Sequence, residues 1–246
     1  MNKPTIGIVN ILGKAPGVVT EFVEWLYPNF YIDPVYIITT KDEKVKLYYQ
    51  LLTKVLYKKY RINKNRIIEI ELPFDDPQTT DDIITVFREI RKNVPDDRKL
   101  LFNVSGGRKN MVLVVYLASL LYKSSSVYYI LMKNEQVARL DIEMVEGEIR
   151  AYLQGDESPE IENRIYSLLF PNKETYEFVE VPKIPLLDFY IDILKEVLSM
   201  NKIQSGQKTI NIKDVIGELV RKGYLQKKDE NLYLTKEGEN LSKLLE

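Results

Sequence analysis

The chain contains no cysteine and no histidine. Without cysteine there are no disulfides, no thiolate metal ligands and no thiol nucleophile. The lack of histidine excludes more, because imidazole titrates near neutrality and is the commonest general base. His-containing triads, zincin motifs and ribonuclease sites built on an Arg–His pair are all ruled out. Any chemistry falls to Lys, Arg, Tyr, Ser, Thr or carboxylates, and neither a metal nor a cofactor is expected. Net charge is nearly absent too, −1 over 246 residues, so any nucleic-acid contact must be local. No apolar run approaches the ~20 residues that span a bilayer. The N-terminal apolar stretch, 5–12, is too short for a signal segment with its flanks. The chain reads as cytoplasmic with no membrane partner, and its richness in Lys, Glu, Ile and Tyr fits a thermophile's composition.

What is present is a regular alternation. Thr5–Ile11 (TIGIVNI) is a β-branched run closed by Gly and Pro, the pattern of a buried parallel strand followed by a tight loop. Helical spacing follows over 18 to about 27, then a second strand at 35–40 (VYIITT) and a long helix over 42–60. A third strand at 67–72 leads into a polar loop, after which Asp81 or Asp82 is expected to cap a helix reaching about 92. The fourth strand, 99–104, precedes an almost wholly apolar, buried helix over 111–122. A fifth strand at 127–131 and a hairpin of 137–145 with 148–152 complete the pattern. Strands alternating with helices imply a Rossmann-like, doubly wound, mostly parallel α/β sheet over residues 1–180. Residues 155–185, punctuated by four prolines, read as a linker or packing arm. From 186 to 246 the order changes to helix (188–200), strand (209–212), helix (213–222) and two short strands around a polar turn. Thr235 then caps a last helix, so this part reads as a small winged helix-turn-helix domain.

Two strand-end loops could carry chemistry, since ligands of open α/β sheets sit beyond the carboxyl ends of the strands. The first is Leu12, Gly13, Lys14, Ala15, Pro16 and Gly17. It offers glycines, a cation and a following helix N-terminus, but equally reads as a tight turn with a surface lysine. The second packs Ser105, Gly106, Gly107, Arg108, Lys109, Asn110 and Met111 ahead of the apolar helix. Its hydroxyl, glycines, two cations and amide are what phosphodiester oxygens require. It matches neither GxxxxGK[ST] nor GxGxxG. Thr39 and Thr40 add hydroxyls after the second strand. Asp75 and Asp76, after the third, could meet ribose hydroxyls or a metal, or simply be solvated turn residues, and are not taken as a metal site.

The combination of LGKAPG, VYIITT and NVSGGRKNM resembles the CARF domain, the CRISPR-associated Rossmann fold. It is most similar to archaeal ring nucleases with a winged-helix tail. The resemblance covers about the first 150 residues and the tail in outline. It implies a homodimer whose two strand-end surfaces form one symmetric pocket for a cyclic oligoadenylate, typically cyclic tetra-adenylate, a messenger of type III CRISPR defence. In members that cut the ring, the ribose 2′-hydroxyl attacks the adjacent phosphate without metal, leaving 2′,3′-cyclic phosphate ends. By motif, Lys109 falls on the family's lysine, Ser105 to Met111 form the ligand cradle, and Lys14 is the second candidate for stabilising charge. The chain departs from the family at Ala15, where a serine is expected. The alternative is a ring-sensing transcription regulator that does not cleave; a nucleotide-binding scaffold unconnected to defence is a third reading.

The tail bears on that alternative. Lys202, Lys208, Lys213, Arg221, Lys222, Lys227 and Lys228 stand against only Asp214 and Glu218 between 201 and 228. Lys213, Arg221 and Lys222 on the expected recognition helix, with Lys227 and Lys228 at the wing, are candidates for DNA phosphate contacts. That helix lacks Asn, Gln or Arg at its start, where bases are usually read.

Overall fold

A computed structural model of the protein describes residues 3–122, 124–133 and 142–181, together with 217, 220, 221, 225–228 and 231–236. The chain divides into two compact units, Met1–Lys183 and Ile184–Glu246. In the first, five strands are parallel: β1 (Thr5–Ile11), β2 (Tyr31–Thr39), β3 (Ile67–Glu71), β4 (Leu100–Asn103) and β5 (Ser125–Met132). A sixth, β6 (Tyr176–Val181), is antiparallel to β5, and the order is β3-β2-β1-β4-β5-β6. This is the mostly parallel, Rossmann-like sheet that the alternation implies.

The strands are apolar on both faces because both faces are covered. Ile6, Ile8 and Leu12 join a cluster with α1 (Gly17–Leu26), α2 (Glu43–Tyr60), α5 (Glu146–Gln154) and α6 (Pro159–Leu169). The alternate residues Val9 and Ile11 are equally buried but outside that cluster. The remaining helices, α3 (Thr80–Asn93) and α4 (Lys109–Ser119), pack on each other. Asp42 caps α2, accepting from Lys44 N at 2.8 Å. For α3 the cap is Thr79, two residues before Asp81 and three before Asp82, the two residues expected. Asp82 is its reciprocal partner in a capping box, which satisfies two end donors at once.

Three expectations are corrected. Residues 142–154 are not half of a hairpin but a 3₁₀ turn, Ile142–Val145, running into α5; 137–141 lie outside the described residues. Ile149 and Tyr152 fall three apart on the buried face, Glu146 pairs with Arg150 one turn on, and Gly155 ends the helix in the left-handed region. Of the two readings of residues 155–185, linker or packing arm, the described part, 155–181, is packed and not a linker. It forms α6 and β6, with Pro159 in the first helical turn, where proline is tolerated, and Pro171 just past the end. The aromatic contacts of Trp25 with Phe178 (4.9 Å between centroids) and Tyr128 (5.0 Å) seat β6 against α1. Finally, α4 is not wholly buried, since Leu113 and Leu117 are 58% and 39% exposed.

Lysines of α2 tie it to the α5–α6 connection: Lys54 and Lys58 both bridge to Glu157, and Lys58 also reaches Glu162. Hydrogen bonds from Lys54 and then Lys58 pull the Glu157 carboxyl down from 4.5 to about 2. A carboxylate more acidic in the folded state stabilises above its unfolded value and loses that contribution as pH falls. Between about pH 4.5 and 2, Glu157→Gln should therefore flatten the dependence of melting temperature on pH, leaving the midpoint near pH 7 slightly lowered.

In the second unit, β7 (Leu225–Lys228) and β8 (Asn231–Leu234) form an antiparallel hairpin, and 217, 220 and 221 are helical. Lys227 is exposed near its turn and Arg221 is exposed on the helical stretch. Lys213, Lys222 and the other expected tail elements, 188–200, 209–212 and most of the last helix, lie outside the described residues.

Candidate ligand-binding cleft at the strand ends

The chain leaves β1 toward β2 on one side and β4 toward β5 on the other. The loops after β1 and β4 therefore diverge and leave a crevice at the centre of the sheet. A cleft of about 230 Å³ lies there. Leu12, Gly13 and Lys14 come from the first loop, Thr40, Asp42 and Val45 from beyond β2, Asp75 from beyond β3, and Gly107, Arg108 and Met111 from the loop after β4.

The glycines serve contact between the loops. A Cβ on Gly13 would stand 2.9 Å from Gly107 Cα and N, and one on Gly106 only 2.1 Å from the Ile11 carbonyl oxygen. Gly107 has φ +78°, a left-handed conformation in which a side chain is also strained. Beneath them lies a residue that the sequence reading passed over. Asn103, buried at the end of β4, donates to Asn10 Oδ1 (3.1 Å) and Val18 O (2.9 Å) and accepts from Ser105 N (3.1 Å). It thereby ties β1, the start of α1 and the glycine loop together. Its signal was an amide inside an apolar run, matched by Asn10 in β1.

The candidate residues divide by where the fold puts them. Ser105 is a strut, its Oγ accepting from Ile130 N at 2.7 Å. Asn110 is fully engaged: its Nδ2 donates to Asp76 Oδ1 and Pro77 O, and its Oδ1 accepts from Met111 N. Asp76 also holds Arg108 through Nη1, so it is a clamp rather than a solvated turn residue. Thr39 is turned to Glu69, donating at 2.7 Å, whereas Thr40 lines the cleft. Ala15 is exposed, Pro16 and Gly17 are buried, and none of the three lines the cleft. Lys109 is exposed at the first position of α4 and stands outside the cleft of the single chain.

The two helix starts differ in what they can offer an anion. At α1, Val18 N and Val19 N are already bonded to Ala15 O and Pro16 O, and Thr20 Oγ1 bonds Gly17 O and Leu169 O. At α4, Arg108 provides no side-chain cap, and the N–H groups of Gly107, Arg108, Lys109 and Asn110 have no partner among the described residues. Unpaired donors with the positive end of a helix dipole and two flanking cations suit an anion. The start of α4 therefore has the longer run of unpartnered backbone donors of the two, the arrangement that an anion would need. Among the described residues no group of acidic side chains is arranged to hold a metal.

The model of a family described as CRISPR-associated protein NE0113 matches residues 15–214. The chain belongs to that family. No curated protein matches this CRISPR-associated chain. Among solved structures it is similar to Enterococcus italicus Csm6 bound to cyclic hexa-2′-fluoro-hexa-dAMP, at 15% identity and a TM-score of 0.45, over 99% of this chain and 54% of that one. It is similar to protein VC1899 of Vibrio cholerae, at 14% identity and 0.40, over 97% and 64%. A type III CRISPR defence DNA nuclease activated by cyclic oligoadenylate is similar at 14% and 0.32, over 81% and 35%. The chain thus spans about half the length of the Csm6 structure.

Proposed function

We propose that this CRISPR-associated protein is a CARF-type sensor of type III defence that binds a cyclic oligoadenylate, cyclic tetra-adenylate first among them, and cleaves it without metal. The observation that carries the reading is the start of α4, where unpaired backbone N–H groups meet Lys14 and Arg108 at the mouth of one cleft. Phosphodiester oxygens satisfy those donors, and the apolar floor of Leu12, Val45 and Met111 suits a base.

A second copy of the chain completes the site. Leu113 and Leu117 on α4 are exposed, as are Tyr129, Leu131 and Val179. Ile130 points into the cluster of α1 and α2, so its neighbours Tyr129 and Leu131 face the opposite side of the sheet, as does Val179, paired with Tyr129. An apolar face of this kind beside α4 suits a two-fold partner, which would bring two clefts together around a ring with matching symmetry. In the reaction, a ribose 2′-oxygen bonds to the adjacent phosphorus, the bond from phosphorus to the 5′-oxygen breaks, and the 2′ proton ends on that 5′-oxygen. Lys14 and Lys109 stabilise the charge that develops on the phosphorane. Ala15 leaves the first loop without the hydroxyl of the resembling ring nucleases, so turnover is expected to be slow.

The test is incubation with cyclic tetra-adenylate in excess EDTA, the products resolved by liquid chromatography and mass spectrometry. Linear di-adenylate with a cyclic-phosphate end is the expected product. An intact ring that co-elutes with the protein would leave a non-cleaving sensor, and no binding would overturn the reading. The sensor alternative draws on the β7–β8 hairpin, which carries Lys227 and Lys228 next to its turn. It requires DNA binding that weakens with salt and changes when the ring is added.

A further inference from the structure

We propose that Thr40, Asp42 and Asp75 form an accepting wall of the cleft that takes the ribose 2′-hydroxyl of the ligand, so that the site selects ribonucleotides over deoxyribonucleotides. The inference rests on the nucleotide reading above and deepens it. The cleft has two chemically opposite sides. Lys14, Arg108 and the α4 N–H groups present donors and positive charge, whereas Asp42 and Asp75 present carboxylates. A ligand that was all phosphate would be repelled from the second side. One that fits both must carry hydrogen-bond donors a short distance from its phosphate.

Three observations mark this wall as unfinished. Thr40 is only 3% exposed yet lines the cleft, and its hydroxyl has no partner among the described residues. That hydroxyl opens to the cleft rather than being sealed in the core, so a ligand can reach it. Asp42 uses Oδ1 to cap α2 and leaves Oδ2 uncommitted. Asp75, next to the clamping Asp76, makes no hydrogen bond or ion pair among the described residues. The placement selects the sugar. Where phosphates lie over the central strand-end loops of an open α/β sheet, a carboxylate beyond the neighbouring strand meets the ribose. Here that strand is β2, which pairs with β1 and is followed directly by Thr40 and Asp42.

Titration calorimetry of the full chain with cyclic tetra-adenylate, its fully 2′-deoxy analogue and the inosine ring tests the proposal. The deoxy ring should bind about ten- to a hundredfold more weakly than the ribose ring, as expected for hydrogen bonds to charged groups. Asp75→Ala, Thr40→Val and Asp42→Asn should each narrow that gap, and the last keeps the helix cap because Asn caps as well as Asp. Equal affinity for ribose and deoxy rings would overturn the accepting wall while leaving the nucleotide reading intact. A preference for adenine over inosine without any preference between sugars would assign the wall to the base amino group, and also overturn it. A sugar preference that survives in all three variants would remove these residues from the account. If no ring binds at all, the nucleotide reading itself fails.

Discussion

Gly106→Ala lowers the stability of the first unit by about 3–4 kcal/mol, a large effect for one methyl group. The added carbon would stand 2.1 Å from the Ile11 carbonyl oxygen and 3.0 Å from Val18 Cγ2. Ile11 is the last residue of β1, paired with Ile38 of β2, so its backbone cannot retreat without breaking the central ladder. For a protein of this size the melting temperature should fall by roughly 10 °C. Gly147→Ala is the control, because nothing lies within 4 Å of its added carbon and the position is inside α5. It should gain a few tenths of a kcal/mol, to about 1, since alanine gives up less backbone freedom than glycine in a helix. A Gly106 variant that melts with the wild type would show that the glycine loop is not packed against the end of β1.

The second large effect separates two adjacent cations. Arg108 lines the cleft, steadied by Asp76, whereas Lys109 stands outside it on the helix that the proposed second copy would cover. Arg108→Ala should weaken binding of cyclic tetra-adenylate by about ten- to a hundredfold, the loss of a charge-assisted contact present in the ground state. Lys109→Ala should lower the single-turnover cleavage rate by about 10²–10³ while changing affinity only a few-fold, because its contribution grows as charge develops on the phosphorane. Calorimetry and single-turnover kinetics on both variants separate these effects. A loss of affinity with the saturating single-turnover rate unchanged would make Lys109 a ground-state contact, and unchanged kinetics would remove it from catalysis.

The first five strands and first four helices were legible in the sequence because each is a strong periodic signal closed by a glycine, a proline or a capping residue. The end of the first unit was not. In α5 the short stretch GEIRAYL carries only two inward residues, Ile149 and Tyr152, while Ile149, Ala151 and Leu153 also stand at alternate positions and mimic a strand. The prolines taken for a linker instead mark the boundaries of α6, and β6 is recognisable as a strand only once β5 is there to pair with it. The two strand-end loops could be picked out by residue type, but the work of each residue depends on partners far along the chain. Asp76 reaches Arg108 and Asn110 across more than thirty positions, and Asn103 meets Asn10 across ninety-three. Such contacts follow from the strand order, which local pattern does not encode.

The buried amide pair has a consequence for how the two central strands find each other. TIGIVNI and LLFN are so uniformly apolar that sliding one along the other changes little in the hydrophobic energy. Asn10 opposite Asn103 breaks that degeneracy. Any slip breaks the Asn103–Asn10 bond and leaves the Asn10 side-chain carbonyl unmet beside its already unpartnered Nδ2, at a penalty of about 1–3 kcal/mol for each further unmet group. The pair therefore acts as an alignment mark. Because Gly13 and Gly107 follow these asparagines by three and four residues, the same mark decides which glycine meets which, and so whether a cleft forms at all.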